Sequence, residues 1–315
     1  MSKRKLIVLT GPTAVGKSDL SVKLAKKINA EILSADSMQI YKYMDIGSAK
    51  ITEEEMQGVK HHLLSVLDPK EECNAFRYVT LAKAAMEEIY AKGKIPLIVG
   101  GTMFYIHALL YDVDFSESNG ISPYREELER LAETEGNHQF HERLKEIDPV
   151  SYEKIHENNV KRVIRALEYY HDTNSPISSH NEREKQKGSP YDFRYFVLTD
   201  DRERIYEKID ARVNLMMQKG LLDEVRALKE RGYTRDMVSM QGIGYKELLD
   251  HLDNLYSLEE AVRIIKRDSR HYAKRQMTWF RSEKDAIFID KRDYGSDEDQ
   301  ILEKLLEYIA DIKTE

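Results

Sequence analysis

An α/β protein, with a parallel-sheet core and a helical insertion, is what this sequence predicts, and three observations carry the prediction. Short apolar runs alternate with helical patterns at both ends of the chain, as they do where helices connect parallel strands. The first run, Leu6–Leu9, leads straight into Gly11-Pro12-Thr13-Ala14-Val15-Gly16-Lys17-Ser18, which fits the phosphate-loop pattern G-x-x-x-x-G-K-[ST]. Between residues 112 and 189 the alternation stops and only helical patterns remain. The core is therefore expected to be P-loop NTPase-like, formed by residues 1–111 and 190–315, with 112–189 as a helical insertion domain.

The loop has the context it requires, a strand before it and a helix after it, Asp19–Ile28, with Leu20, Leu24 and Ile28 at helical spacing. Glycines let the backbone wrap an anion at the positive end of that helix. Lys17 adds a point charge, and Ser18 a hydroxyl ligand for Mg²⁺. A compound carrying a di- or triphosphate is implied; the motif leaves open which one, and whether a phosphoryl group moves. Glu31–Asp36 reads as the second strand, with Asp36 at the carboxyl edge that faces the ligand crevice in open α/β sheets. Asp36 admits three roles: a surface turn residue, an outer ligand of Mg²⁺, or a general base. The loop Ser37-Met38-Gln39-Ile40-Tyr41 follows on the same edge. Residues 45–60 read as a loop and a polar helix. His61-His62 suggest a metal, yet no third ligand stands at a recognisable spacing, and capping or core histidines fit better. Asn74 caps a helix reaching about Ala91, whose stripe is Val79, Ala82, Ala85, Met86 and Ile89. Ile95–Val99 is a third buried strand, closed by Gly100-Gly101-Thr102 without an acidic residue. That absence counts against an ATP or GTP hydrolase. It leaves Asp36 as the carboxylate, with Thr102 and Tyr105 beside it as site residues or as ordinary capping and core.

In the insertion, helices are expected at Tyr124–Ala132, His138–Ile147 and Val160–Tyr170, punctuated by Pro123, Pro149 and Pro176. Val163, Ile164 and Leu167 make the buried stripe of the last; Lys161, Arg162 and Arg165 lie off it, on a face that by itself is merely solvated. Glu182–Lys187 reads as a mobile linker. Phe193–Leu198 returns as a strand, followed by a helix over Arg202–Gln218 with Ile205, Ile209 and Met216 on its apolar face. Arg212 falls on that face, so it needs an anionic partner, an internal carboxylate or a ligand phosphate. Gln241-Gly242-Ile243-Gly244-Tyr245-Lys246 either brings backbone close to a ligand or simply turns the chain. Ser257-Leu258-Glu259-Glu260 is a capping box opening a long helix. That helix carries Arg263, Lys266, Arg267, Arg270, His271, Lys274, Arg275 and Arg281, interleaved with Tyr272, Trp279 and Phe280. The mixture suits phosphate contacts with base stacking, or a solvated basic helix with its aromatic side chains in the core. Ala286–Asp290 is the last strand and Asp297–Lys313 the closing helix.

Hydrophobic residues at 41% and charged residues at 33% describe a soluble chain with ample core. A net charge of −7 argues weakly against a nucleic-acid partner for the chain as a whole, so the local basic clusters decide. The single cysteine, Cys73, excludes an intrachain disulfide and a cysteine-rich zinc site, and fits a reducing cytoplasm. The apolar run at Leu6–Leu9 is too short for a signal peptide, and nothing approaches the roughly 20 apolar residues of a membrane span. A cytoplasmic protein with no membrane partner is expected.

The motifs GPTAVGKS at 11–18, SADSMQIY at 34–41, MDIGSAK at 44–50, HHLL at 61–64, GGTMFY at 100–105, KRVIRALE at 161–168, GIGYKE at 242–247 and RQMTWF at 275–280 occur in that order. With them the chain resembles the bacterial tRNA dimethylallyltransferase (tRNA isopentenyltransferase) family, from Leu6 to Phe280. The resemblance implies transfer of a five-carbon prenyl group from dimethylallyl diphosphate to N6 of the adenosine 3′ of the anticodon, in tRNAs reading U-starting codons. It implies that Gly11, Thr13, Ala14, Val15, Gly16, Lys17 and Ser18 hold the donor's diphosphate with Mg²⁺, and that no phosphoryl group moves. Asp36 would be the general base, with Thr102 and Arg212 as further catalytic residues. The tRNA anticodon stem-loop would meet Asp36, Ser37, Met38, Gln39 and Thr102; Lys161, Arg162, Val163, Ile164 and Arg165 of the insertion; Gln241, Gly242, Ile243, Gly244, Tyr245 and Lys246; and Arg275, Gln276 and Trp279. A monomer is expected. The competing readings are a P-loop small-molecule kinase, an enzyme prenylating free adenine nucleotides, and a non-catalytic RNA-binding or nucleotide-switch protein.

Overall fold

The structure, a computed structural model, describes residues 3–115 and 123–310. Among the described residues one sheet holds six strands: β1 Arg4–Thr10, β2 Ala30–Ala35, β3 His61–His62, β4 Ile95–Gly100, β5 Tyr191–Thr199 and β6 Ala286–Asp290. All pairings are parallel, in the order β3-β2-β4-β1-β5-β6. Helices cover both faces, so the central strands are apolar throughout: Leu6, Ile7, Val8 and Leu9 of β1 are fully buried. The register brings Thr10 and Ala35 both opposite Gly100, which sets the carboxyl ends of β1, β2 and β4 side by side. This is the P-loop NTPase-like core.

Packing divides the chain into two units, Met1–Leu109 with Pro190–Glu315, and Leu110–Ser189. The second has its own apolar core of Leu128, Ala132, Phe140, Leu144, Val163, Ile164, Ala166 and Leu167. Its buried Asp148 caps the helix Pro149–Lys154 through the Ser151 N–H at 3.0 Å and also accepts from the Ser178 N–H at 3.0 Å.

Several local expectations are corrected. Residues 182–187 are not a linker but the end of a helix, Ile177–Gln186; their alternating charges mark a solvated helix face, anchored where Glu184 accepts the Asp114 N–H and pairs with Lys187. The helix expected over His138–Ile147 is interrupted at Arg143, giving Asn137–Glu142 and Leu144–Ile147. Within residues 45–60 only Glu53–Met56 is helical, opened by a Thr52–Glu55 capping box. The box at Ser257 is half formed: Ser257 Oγ accepts the Glu260 N–H at 3.1 Å, but the Glu260 carboxylate turns to Arg263. The closing helix runs over Glu298–Ala310, and residues 311–313 lie outside the described residues.

The histidine pair is the edge strand β3, and His62 serves the core. Its Nε2 lies 2.8 Å from Oε2 of Glu31, a residue 3% exposed that also accepts from Lys92 at 2.8 Å and Lys94 at 3.0 Å. Burial alone would raise the Glu31 carboxyl; hydrogen bonds from Lys92, His62 and Lys94 outweigh it and hold the group at about 2. A carboxyl whose folded value lies below its ordinary 4.5 stabilises the fold above that pH and loses the contribution as pH falls from 4.5 toward 2. The contribution at neutral pH is on the order of 3 kcal/mol. Glu31→Gln is expected to lower the unfolding temperature at pH 7 and to flatten its fall between pH 5 and pH 3. Parallel acid curves for the two proteins in a thermal-unfolding series would contradict this account.

Candidate active site

The loop between β1 and the helix Lys17–Lys27 is shaped by close backbone approach. Gly11 has φ +146°, and a Cβ there would lie 2.4 Å from the Leu198 carbonyl oxygen of β5. Ala14 and Gly16 also take positive φ, +65° and +98°, so the chain curls and then enters the helix with its first amides unpaired by the helix. Lys17 Nζ donates to the Gly11 and Pro12 carbonyls, both at 2.9 Å. Ser18 is exposed, and its hydroxyl has no hydrogen-bond partner among the described residues. Burial, then the nearby Arg212 charge, pushes Lys17 down to about 7, while Asp36 pulls it up.

Asp36 stands just past β2. Its Oδ1 accepts the N–H groups of Met38 at 2.9 Å and Gln39 at 3.3 Å, the turn role allowed by the sequence. Its Oδ2 has no hydrogen-bond partner among the described residues. Thr102 ties two strand ends together, donating its N–H to the Ala35 carbonyl at 3.0 Å and accepting the Ser37 N–H on Oγ1 at 2.9 Å. The preceding turn needs glycine, because a Cβ on Gly100 would lie 2.2 Å from the Ala35 carbonyl oxygen. Arg212 lies within hydrogen-bond reach of Thr13 Oγ1 at 3.4 Å and forms no ion pair among the described residues. Burial pushes the Arg212 guanidinium down from its ordinary value, and Asp36 and Glu55 partly offset this. Tyr105 is core instead: its hydroxyl donates to the Cys73 carbonyl at 2.7 Å and its ring stacks on Tyr78.

The residues expected at RNA separate into accessible and buried sets. Lys161, Arg162, Gln241 and Arg275 are exposed; Ser37, Met38, Gln39, Thr102, Arg165, Gly242, Ile243, Lys246 and Trp279 are partly so. Val163 and Ile164, 0% and 3% exposed, are core residues of the insertion, which corrects their assignment as contact side chains. Gly244 is buried. Tyr245 is buried too, its hydroxyl donating to Glu224 Oε1 at 2.8 Å. Gln276, 1% exposed, holds the phosphate loop: its Oε1 accepts the Thr13 N–H at 2.9 Å, and its Nε2 donates to the Gly101 carbonyl at 2.8 Å.

One positioning residue was not anticipated. Glu224 accepts the N–H groups of Asp45, Ile46 and Gly47 at 2.9, 2.7 and 3.0 Å, and so clasps the 44–50 segment. Gln39 Nε2 reaches the Ser48 and Ala49 carbonyls from the other side. On the long helix Leu258–Phe280, Arg263, Arg267 and Arg270 are paired with Glu260, Asp268 and Asp210. Lys274 and Arg275 form no ion pair among the described residues. With His271, Thr278, Trp279 and Ser282 they line an open groove of about 610 Å³.

A family model described as IPP transferase matches residues 39–283, and one described as isopentenyl transferase matches residues 4–72. The chain is 57% identical over 292 residues to a tRNA dimethylallyltransferase of Lachnoclostridium phytofermentans, covering 93% of each. It is 41% identical to the solved tRNA isopentenylpyrophosphate transferase of Bacillus halodurans, over 98% of both chains with a TM-score of 0.73. It is 32% identical to a eukaryotic dimethylallyltransferase acting on tRNA, over 91% of this chain and 74% of that one, with a TM-score of 0.78.

Burial and the Arg212 charge hold Lys17 down at about 7, so an anion in the loop favours its charged form. The anion raises the Lys17 value, so binding takes up a proton at pH values above about 7 and weakens as pH rises further. Calorimetric titration of diphosphate at pH 8, in buffers of different ionisation heat, is expected to show greater proton uptake in the native protein than in Lys17→Met, the diphosphate's own titration being common to both. Equal proton uptake in the two proteins would contradict the assignment.

Proposed function

The chain belongs to the IPP transferase family, and on that premise we propose how its residues carry the family's reaction. The enzyme transfers the dimethylallyl group from dimethylallyl diphosphate to N6 of the adenosine 3′ of the anticodon in tRNAs that read U-starting codons, releasing diphosphate. The observation that carries the residue assignment is the gathering of Lys17 and Arg212 beside Thr13, unpaired by carboxylates, with one free oxygen of Asp36 nearby.

The adenine amine is a weak nucleophile, because its lone pair is delocalised into the ring. Leaving-group charge therefore decides the barrier. As N6 forms its bond to C1 of the donor, the C1–O bond breaks and the electron pair leaves with the diphosphate. Lys17, Arg212 and the loop amides stabilise that developing anion. Asp36 accepts the N6 proton on Oδ2, since Oδ1 is held by the Met38 and Gln39 amides. Thr102 keeps the Asp36–Ser37 turn in place through the Ser37 N–H. The adenine must leave its stack to reach the donor.

The residues present fit Mg²⁺. Ser18, with an exposed hydroxyl at the loop, would hold the ion together with the donor's phosphate oxygens. When bound, Mg²⁺ would neutralise diphosphate charge.

For tRNA, Lys161, Arg162 and Arg165 of the insertion, and separately Lys274, Arg275 and Trp279 of the long helix, supply cations for the phosphate backbone and a ring for stacking. These local clusters answer the net charge of −7. No helix among the described residues is long and apolar enough to cross a membrane, and a tRNA substrate supports a cytoplasmic setting.

Incubation with Mg²⁺, dimethylallyl diphosphate and unmodified tRNA reading a U-starting codon is expected to yield prenylated adenosine 3′ of the anticodon by mass spectrometry of the digest. Asp36→Asn is expected to lower turnover at saturating tRNA by about a hundredfold or more. Near-normal turnover in that variant would refute the base assignment. Phosphoryl transfer from ATP without any prenylated product would refute the function.

A further inference from the structure

Behind the phosphate loop lies a cation that the mechanism above does not use. Lys291 follows β6 directly and opens the short turn Lys291–Tyr294 at the carboxyl edge of the sheet. It is 7% exposed, and its Nζ donates to the Val15 carbonyl at 3.3 Å. A Cβ on Gly16 would lie 3.1 Å from the same nitrogen. Lys291 forms no ion pair among the described residues; the adjacent Asp290 is engaged by Arg292. Among the described residues this buried ammonium has one carbonyl acceptor and no countercharge, which is unfavourable for a buried cation.

The contact also has a geometric consequence. The Val15 C=O and the Gly16 N–H belong to one planar trans peptide and point in opposite directions. Drawing the carbonyl toward Lys291 turns the Gly16 N–H the other way, to the side on which the amides of such a loop receive an anion. Gln276 holds the loop at Thr13, and Lys291 holds it at Val15.

We propose that Lys291 is a positioning residue for the diphosphate: it fixes the Val15–Gly16 peptide, and the bound anion supplies the countercharge it lacks. The proposal rests on reading the loop as a diphosphate site. Lys291 lies outside the residues matched by either family model, which end at 72 and 283.

The test compares the native chain, Lys291→Met and Lys291→Arg, with inorganic diphosphate and Mg²⁺ as the probe, by calorimetric titration and thermal unfolding. Lys291→Met is expected to bind diphosphate about tenfold more weakly. Its ligand-free unfolding temperature is expected to be unchanged or higher, because an uncompensated buried charge is gone, while the rise produced by diphosphate shrinks. Lys291→Arg, which keeps the charge, is expected to recover most of the affinity. Native affinity in Lys291→Met would overturn the proposal. So would a ligand-free unfolding temperature lower by about 5 °C or more with the diphosphate-induced rise intact, since the lysine would then be structural. Failure of the native chain to bind diphosphate would overturn the reading of the loop itself, and this proposal with it.

Discussion

A shortage of negative charge around the phosphate loop is the constraint on which the rest of the site depends. Lys17 and Arg212 stand close enough that Arg212 depresses Lys17, and Asp36 is the carboxylate that offsets both. Half of Asp36 is already committed to the Met38 and Gln39 amides. In the free protein the lysine turns to backbone carbonyls and the arginine to a threonine hydroxyl, partners that carry no charge. Such an arrangement is stable only because the surrounding fold imposes it. On the proposed reading a diphosphate supplies the missing charge, and the same electrostatics would serve the chemistry, because that group is also the leaving group.

The fold imposes this arrangement through its backbone. Parallel pairing sets Thr10, Ala35 and Gly100 level, and glycine at 11 and 100 lets the connecting segments approach β5 and β2 more closely than a side chain would allow. Side chains from distant segments then fasten the edges: Gln276 to Thr13 and Gly101, Thr102 to Ser37, Glu224 to the 45–47 amides. The bonds of Gln276 and Glu224 cross from the end of the long helix and from the segment after β5 to the first third of the chain. The insertion contributes its own folded core, with Lys161 and Arg162 left exposed.

What sequence reasoning recovered, and what it missed, follows from the range of the interactions. The loop, the strands around it and the insertion were legible because their signals are local: a fixed spacing, apolar runs, a stretch without alternation. Arg212 was legible as an anomaly, a charge on an apolar face. Gln276 and Tyr245 were placed in the right neighbourhood but given the wrong partner, because an exposed polar contact and a buried tie look alike until the fold shows which face is covered. Val163 and Ile164 were read both as a buried stripe and as RNA contacts, and the packing supports the stripe. Glu224 and Lys291 left no signal, since a glutamate or a lysine in an ordinary segment announces nothing about amides or carbonyls far away in sequence. The histidine pair was read as capping or core rather than metal, and the structure adds the partner the sequence could not name, Glu31.

The central claim is that the phosphate loop holds a leaving group and that no phosphoryl group moves. The most direct test places a heavy-oxygen label at the bridge between C1 and the first phosphorus of dimethylallyl diphosphate, then locates it after turnover with tRNA. Cleavage between carbon and oxygen leaves all of the label in the released diphosphate, which is the result this account requires. Label in dimethylallyl alcohol or a dimethylallyl monophosphate would show that a phosphorus–oxygen bond broke, and would contradict it.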